Sequence, residues 1–437
     1  MDLIIAFGIF VAAMVAALVI DISMIYALLV GLVCFLAVGA HRGFKMPDLL
    51  RMGWEGTKDA GVVIVVISII GMITASWRIS GTITIFVYYG IKLITPSLFL
   101  IIAYLLACLL SYSLGTSYGI SGTVGVIFMT LAKSGGVNPI ITGGVLLSGV
   151  YFGDRGSPVS SCANMVAAVT GTKILDNVKS MMKTAVLPFA LCCAAYTALS
   201  FMNPISSVDA DLVRTFEETF SLSPWAFVPA VIILVLPLLK VNIFHTMLVS
   251  LTSAVLVACL VQGVPLTEVL RTCIMGYKAP SAGLGEILNG GGFISMVEVL
   301  VILAISCAYS GIFTGTGMLD SLQEKLTAVC GRFGRFPVMA AVGMASIIVF
   351  CNQTIGVLIT NDFMQKPYLD AGASREELMC DIANSTVVFA GIIPWSIGCS
   401  VPLALMGAEL SSIPFALYLF AVPVIYTFTK RKWFENL

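Results

Sequence analysis

The chain has 437 residues, of which 59% are hydrophobic and only 11% charged, with 23 basic side chains against 23 acidic ones. A soluble globule of that composition would have almost no charged surface to offer water, so composition excludes one and points to a polytopic membrane protein. A net charge of zero gives no basis for nucleic-acid binding; what carries information is where the few charges fall.

The opening MDLIIAFGIFVAAMVAALVI has no basic leader and runs into a second apolar span, which predicts a retained first helix rather than a cleaved signal. Apolar spans fall near 3–20, 22–40, 60–77, 83–95, 97–114 and 117–132, followed by a divided stretch at 140–170 and a span at 184–202. After the acidic stretch SSVDADLVRTFEETF at 206–220, a comparable series occupies 224–239, 243–262, 294–312, 336–351, a pair near 380–410, and 412–429. Spans of about 18–20 residues are full crossings, while 83–95 is too short to decide. The expected fold is all-α, with about 11–13 membrane segments.

Within the divided stretch, Ile140–Val150 and Val159–Thr170 each give roughly 17 Å of helix, against a hydrocarbon core of about 30 Å. Between them YFGDRGSPVSSCAN at 151–164 places an Asp-Arg pair, two glycines and a proline. Two half-length helices with a polar tip predict a re-entrant hairpin. Charge at that depth is tolerated only around a protein-lined or water-filled cavity, so the tip should line a site.

Basic residues assign the sides. Arg42, Lys45, Arg51 and Lys58 follow the second span, Lys173, Lys179 and Lys183 follow the first hairpin, and Lys430, Arg431 and Lys432 follow the last span. The segment 203–223 instead carries Asp209, Asp211, Glu217 and Glu218 against Arg214. The former are expected in the cytoplasm and the latter outside, with both termini inside. Residues 1–202 then form a first repeat, 203–223 an external linker and 224–437 a second repeat of opposite orientation, with hairpins near 140–170 and 380–410. Residue echoes support the duplication: MGW at 52–54 recurs as MGY at 275–277, SGT at 80–82 as TGT at 314–316, and GTSYG at 115–119 resembles NQTIG at 352–356.

Twelve cysteines lie scattered in apolar runs without a Cys-x-x-Cys and read as small buried hydrophobes. His41 and His245 are far apart, so no resident metal or cofactor is expected. There is no His-Glu-x-x-His, no Gly-x-Ser-x-Gly and no P-loop, which argues against an enzyme and against ATP as the energy source.

The stretches SWRISGTITIFVYYGIKLITPSLF (76–99), LGTSYGISGTVG (114–125) and SGVYFGDRGSPVS (148–160) resemble the NhaC-type sodium/proton antiporters of the ion-transporter superfamily. GGGFISM (290–296), SGIFTGTGML (310–319), NQTIGVLIT (352–360) and IIPWSIG (392–398) agree in the second half. The resemblance implies an inner-membrane secondary antiporter of two inverted repeats, often homodimeric, exchanging sodium for protons or protons with a small organic acid. The chain departs from that pattern where the family tends to be acidic, carrying Ser161 and Asn384, and in having Arg78 and Glu298 at usually uncharged positions.

Sodium is a hard cation that takes several oxygen ligands, and broken helices supply carbonyls that hydroxyl and amide side chains complete. The candidates are Thr116 and Ser117 in GTSYG, then Asp154, Ser157, Ser160 and Asn164 in the first divided stretch. Asn352, Gln353, Thr354, Asn384, Ser385 and Thr386 mirror them, and Pro394 is placed to break the second hairpin. The bland alternative for any one hydroxyl is a bond to its own helix backbone. Asp154 is the sharpest candidate, because proton and cation compete for one carboxylate; its bland alternative is a salt bridge to Arg155.

Glu298 is a lone carboxylate in a span, with Arg78 as its natural ion-pair partner unless Arg78 grips a substrate carboxylate or snorkels to the interface. Asp381 is expected near water with a possible proton-relay role, and Trp395 to pack a helix bend. The run at 366–381 reads as a solvated connector whose Ser374 and Glu377 match a capping box. Sodium/proton exchange is the leading expectation. The alternative keeps the fold but carries a small organic solute, a carboxylate such as malate or lactate or an amino acid, driven by sodium or protons.

Overall fold

A computed structural model describes residues 2–434 apart from 21, 60, 94–95, 116, 159, 206–209, 240, 281–283, 286–287 and 319–333. The described residues form helices with no strand, only an isolated bridge between Tyr277 and Gly290. In the first half, α1 (Asp2–Ile20) and α2 (Met24–His41) pack side by side, with the rings of Phe10 and Phe35 5.7 Å apart. The amphipathic α3 (Met46–Asp59) buries Leu49 and Gly53 and leaves Arg51 and Lys58 exposed. Next, α4 (Gly61–Ile79) and α5 (Thr82–Leu93) meet at 63°, the bend falling at Gly81, whose φ of +74° suits only glycine without strain. The ambiguous piece at 83–95 is thus the second arm of a bent helix.

The remainder of that half is α6 (Phe99–Leu114), α7 (Ser117–Ile120), a π-helical turn at Ser121–Gly125, α8 (Val126–Ser134), α9 (Pro139–Gly156), α10 (Ser161–Thr170) and α11 (Ile174–Met202). In the linker, α12 (Ala210–Thr219) is a short helix, and Asp209 lies outside the described residues. The second half contains α13 (Val228–Leu238), α14 (Ile243–Leu260), α15 (Leu266–Met275), α16 (Val297–Thr316), α17 (Arg335–Phe350) and α18 (Gln353–Asp370). It closes with α19 (Arg375–Asn384), α20 (Thr386–Phe389), α21 (Ile397–Met406), α22 (Leu417–Thr429) and α23 (Arg431–Phe434).

Corresponding features recur at one constant spacing. The left-handed caps Gly115 and Cys351, the N-caps Ser160 and Ser396, and the left-handed caps Gly171 and Gly407 are each 236 positions apart. Gly115 therefore matches Cys351, one residue ahead of the register read from GTSYG and NQTIG. The packing is exchanged between halves: α3 lies on α16 and α15 on α4, while α2 runs along α16 and α14 along α4.

The stretch 140–170 does not double back, and neither does 380–410. Gly143 and Gly144 abut Ala408, Ser412 and Phe415, just before α22, whereas Lys430, just after α22, binds Glu377. Thr170 at the end of α10 accepts from Arg375 at the start of α19, 3.0 Å. The 13 residues of α22, about 20 Å, therefore separate the two ends of each stretch. They cross the molecule antiparallel as interrupted helices. What doubles back is 99–134 and 335–370. The Ile101 N–H donates to Ser200 Oγ at 2.9 Å and Gly135 abuts Ile205, while Arg335 donates to the Ala371 carbonyl at 3.5 Å. The length argument ended the first arm at Val150, but the helix continues through Gly156 because Asp154 and Arg155 find partners there. It stops at Ser157, since the residue before a proline is pushed out of the α conformation.

Three described helices are long and apolar enough to cross a membrane, Met24–His41, Ile174–Met202 and Ile294–Thr316, and several shorter apolar helices accompany them. Large apolar side chains such as Val33, Leu109, Val186 and Leu260 face outward, while Asp154, Arg155 and Asp381 are buried. That inversion is what a hydrocarbon solvent demands, and the protein is a multi-pass membrane protein.

Close packing of α6 on α9 rests on Gly153, where a Cβ would stand 2.0 Å from the Ser111 carbonyl carbon, whereas a Cβ at Gly8 meets nothing within 4 Å. Gly153→Ala should therefore cost roughly 1–3 kcal/mol in detergent-solubilised thermal unfolding. Gly8→Ala should be neutral or slightly stabilising; equal effects would contradict this packing.

Candidate functional site

The interruption between α9 and α10 is closed by its own side chains. Ser160 Oγ donates to the Asp154 carbonyl at 2.6 Å and accepts from the Ala163 N–H at 3.2 Å, capping α10. Asn164 Nδ2 donates to the carbonyls of Pro158 and Ser160 at 2.9 and 2.7 Å. Ser157 Oγ donates to the Tyr112 carbonyl at 2.5 Å, tying the break to α6. In the second half, Asn352 Oδ1 caps α18, accepting from Thr354 N and Ile355 N, and the Ile397 N–H donates to the Cys351 carbonyl at 2.7 Å. Cys351 holds a left-handed φ of 55°, rare for a non-glycine residue.

The two halves meet at Asp154. Gln353 Nε2 donates to Asp154 Oδ2 and to the Val387 carbonyl, both at 3.1 Å, and Ser160 Oγ lies 3.5 Å from Asp154 Oδ1. Asp154 is buried, and all its partners are neutral. Arg155 points elsewhere, because successive helical residues diverge by about 100°. Its Nη1 donates to Tyr418 Oη at 2.9 Å, and its Nη2 to Thr184 Oγ1 at 2.6 Å, to the Met181 carbonyl at 3.2 Å and to Asn384 Oδ1. Arg155 thus reaches Asn384 just before the kink at Ser385, where α19 gives way to α20, and Gln353, the partner of Asp154, reaches Val387 just after it.

A third polar cluster lies one turn earlier on α19. Asp381, fully buried, accepts from Tyr426 Oη at 2.8 Å and also from Tyr368 Oη and Lys430 Nζ. Lys430 Nζ is 2.8 Å from Glu377, which Arg335 also binds at 3.1 Å. Two carboxylates and two cations thereby compensate one another.

The profile of the Na+/H+ antiporter family matches residues 149–429, which include the break of the first interrupted crossing and the whole of the second. The chain belongs to this family. It is similar to the "Malate-2H(+)/Na(+)-lactate antiporter" of Bacillus subtilis (strain 168), with 24% identity covering 100% of this chain and 96% of that protein. It is also similar to the "Na(+)/H(+) antiporter NhaC" of Alkalihalophilus pseudofirmus, 23% identical over 86% of this chain and 84% of the relative. The "Arginine/ornithine antiporter ArcD" of Halobacterium salinarum is 24% identical over 88% and 86%. Membership makes the protein a transporter of the NhaC-type antiporters, as the sequence blocks implied.

Within this family member, Asp154, Ser160 and Gln353 are brought into direct contact, with Ser157, Asn164 and Asn352 shaping the same breaks. Ser117 is buried at the tip of the first hairpin-like pair, its carbonyl accepting from Ser121 Oγ, and Thr116 lies outside the described residues. Thr354 is exposed and offers its backbone to the Asn352 cap. Asn384 joins Arg155, Ser385 Oγ donates to the Asp381 carbonyl at 2.5 Å, and Thr386 Oγ1 donates to Thr360 Oγ1 at 3.4 Å.

Three expectations change, and one bland alternative falls away. Arg78 and Glu298 do not pair: Glu298 is exposed and accepts from Ser23 Oγ, while buried Arg78 donates to the Thr74 carbonyl at 2.7 Å and faces the Gly290–Gly292 turn. Asp154 and Arg155 do not pair either. Asp381 is buried rather than near water. The 366–381 connector does show the expected Ser374 cap, accepting from the Glu377 N–H at 3.0 Å, but Glu377 is buried and ion-paired. Trp395 packs as expected, its Nε1 donating to the Ile348 carbonyl at 3.0 Å. Sequence reasoning missed Thr184, Tyr418 and Tyr426. One signal existed for Glu377 and Asp381: four residues apart, they share a helix face.

Lys430→Met should cost about 3–5 kcal/mol in thermal unfolding, because it leaves Glu377 and Asp381 short of a buried partner. Lys179→Met, which loses only an exposed bridge to Asp176, should stay within about 1 kcal/mol. Comparable losses would show that the buried cluster is not a stabilising unit.

Proposed function

We propose that the protein exchanges sodium for protons across a bacterial-type cytoplasmic membrane by alternating access. The observation that carries this reading is Asp154, a buried carboxylate with neutral partners only, reached across the molecule by Gln353. Such a carboxylate can hold a proton or a cation but is costly with neither, so gain of one releases the other.

In this reading the constant 236-residue spacing and the exchanged packing mark two inverted repeats, 1–202 and 224–437, joined by an external linker at 203–223. The segments 99–134 and 335–370 are re-entrant hairpins entering from opposite faces, and 139–170 and 375–406 are broken crossings. The halves move relative to one another about the Asp154–Gln353 contact and expose it to either side in turn. Both termini are cytoplasmic, since the basic loops and the Arg335 and Lys430 cluster belong to one end, and the assembly is a homodimer, as the NhaC resemblance implies.

A second reading, exchange of a small organic solute coupled to sodium or protons, is supported by the malate/lactate relative. It covers the whole chain at an identity no lower than that of the NhaC relative.

In proteoliposomes carrying an internal pH dye, sodium pulses should shift the lumenal pH, and Asp154→Asn should reduce that response to background while Lys179→Ala leaves it unchanged. A sodium-driven signal that survives Asp154→Asn refutes the assignment. A wild type that never responds, yet takes up lactate or malate when sodium is present, favours the second reading.

A further inference from the structure

Arg155 is 1% exposed, wedged between the two halves, and every partner of its guanidinium is a neutral oxygen. Nε shares an edge of the guanidinium with Nη2. Nη2 is occupied by Asn384 Oδ1 and its neighbours, but Nε has no acceptor, and neither has the adjoining Asn384 Nδ2, both atoms being sealed from solvent. Turning the Asn384 amide over does not help, because its nitrogen would then face Nη2, donor against donor. Two buried donors beside an uncompensated cation leave the site short of one anionic oxygen. The cluster around Asp381, one turn away, is by contrast balanced by its own cations.

We infer that the unpartnered donors Arg155 Nε and Asn384 Nδ2 receive the carboxylate of a transported organic anion, entering when the kink at Ser385 opens. This deepens the organic-solute reading and rests on it. A carboxylate can give one oxygen to Nε and the other to Nδ2, whereas a spherical anion has a single atom to offer both. Asp154 is joined through Gln353 to Val387, on the other side of the same kink, so a cation and a carboxylate take neighbouring but separate positions. Loaded together they add no net charge to a buried region, where an unbalanced charge is costly.

The test uses the full-length protein in detergent, with thermal unfolding followed in choline lactate, choline malate, L-ornithine hydrochloride and choline chloride at matched ionic strength. Lactate or malate should raise the melting temperature where chloride does not; a shift with ornithine alone assigns the carboxylate to an amino acid. Asn384→Asp supplies the missing acceptor from within. It should raise the melting temperature without ligand and weaken the half-saturating carboxylate concentration by about tenfold or more. Arg155→Lys, which keeps the charge but removes the two-donor edge, should lose the carboxylate shift as well. An Asn384→Asp protein that responds to carboxylate like the wild type, or a wild type stabilised equally by chloride, overturns the site while leaving the organic-solute reading intact. A wild type that no carboxylate stabilises overturns both.

Discussion

Where a helix breaks inside an apolar environment, the N–H and carbonyl groups it frees must find partners within the protein, because hydrocarbon offers none. Here those partners come from the break itself and from the opposite half. Ser160 and Asn164 take up carbonyls freed between α9 and α10, while the Ile397 N–H takes the Cys351 carbonyl and Tyr151 Oη the Gly398 carbonyl, 2.9 Å away. Gln353 spans both halves at once through Asp154 and Val387. Neither break can be repositioned without unsatisfying the other, so the helices around them must hold these contacts in register.

That register is held by close approach rather than by hydrophobic exclusion, which gives little drive between helices already surrounded by lipid. Glycine permits the approach. Gly153 and Gly149 let α6 lie against α9, Gly56 and Gly311 let α3 lie on α16, and Gly143 and Gly144 admit the 412–415 turn. These seams place the tips of 99–134 and 335–370 at the depth where the crossings are interrupted.

The buried charges divide into two kinds. Around Asp381 the carboxylates and cations balance, and the cluster fastens the start of α19 to the end of α22. Asp154 and Arg155, like Arg78, are instead held by neutral groups, Arg155 reaching Asn384 before the Ser385 kink and Gln353, the partner of Asp154, reaching Val387 after it. A balanced cluster has nothing to gain from a ligand. An unbalanced charge does, and that difference is the ground on which transport chemistry is proposed for Asp154 and Arg155.

The all-helical membrane fold and the positions of most breaks were legible in the sequence. Gly81, Gly115, Pro158 and Pro394 fall at or beside interruptions, and Ser374 caps where its spacing says it should. The candidate site was legible as a set of polar residues near those breaks, but not as an arrangement. Nothing local shows that 140–170 and 380–410 run on across the molecule, that Arg78 and Glu298 lie apart, or that Asp381 is buried. Caps, glycines and prolines act within a few residues of themselves, so the sequence alone determines where helices stop. Asp154 and Gln353 are 199 positions apart, Arg155 and Asn384 229, Asp381 and Lys430 49. Which ends meet, and which buried charges go uncompensated, depends on contacts over those separations and was decided only when the two halves packed together.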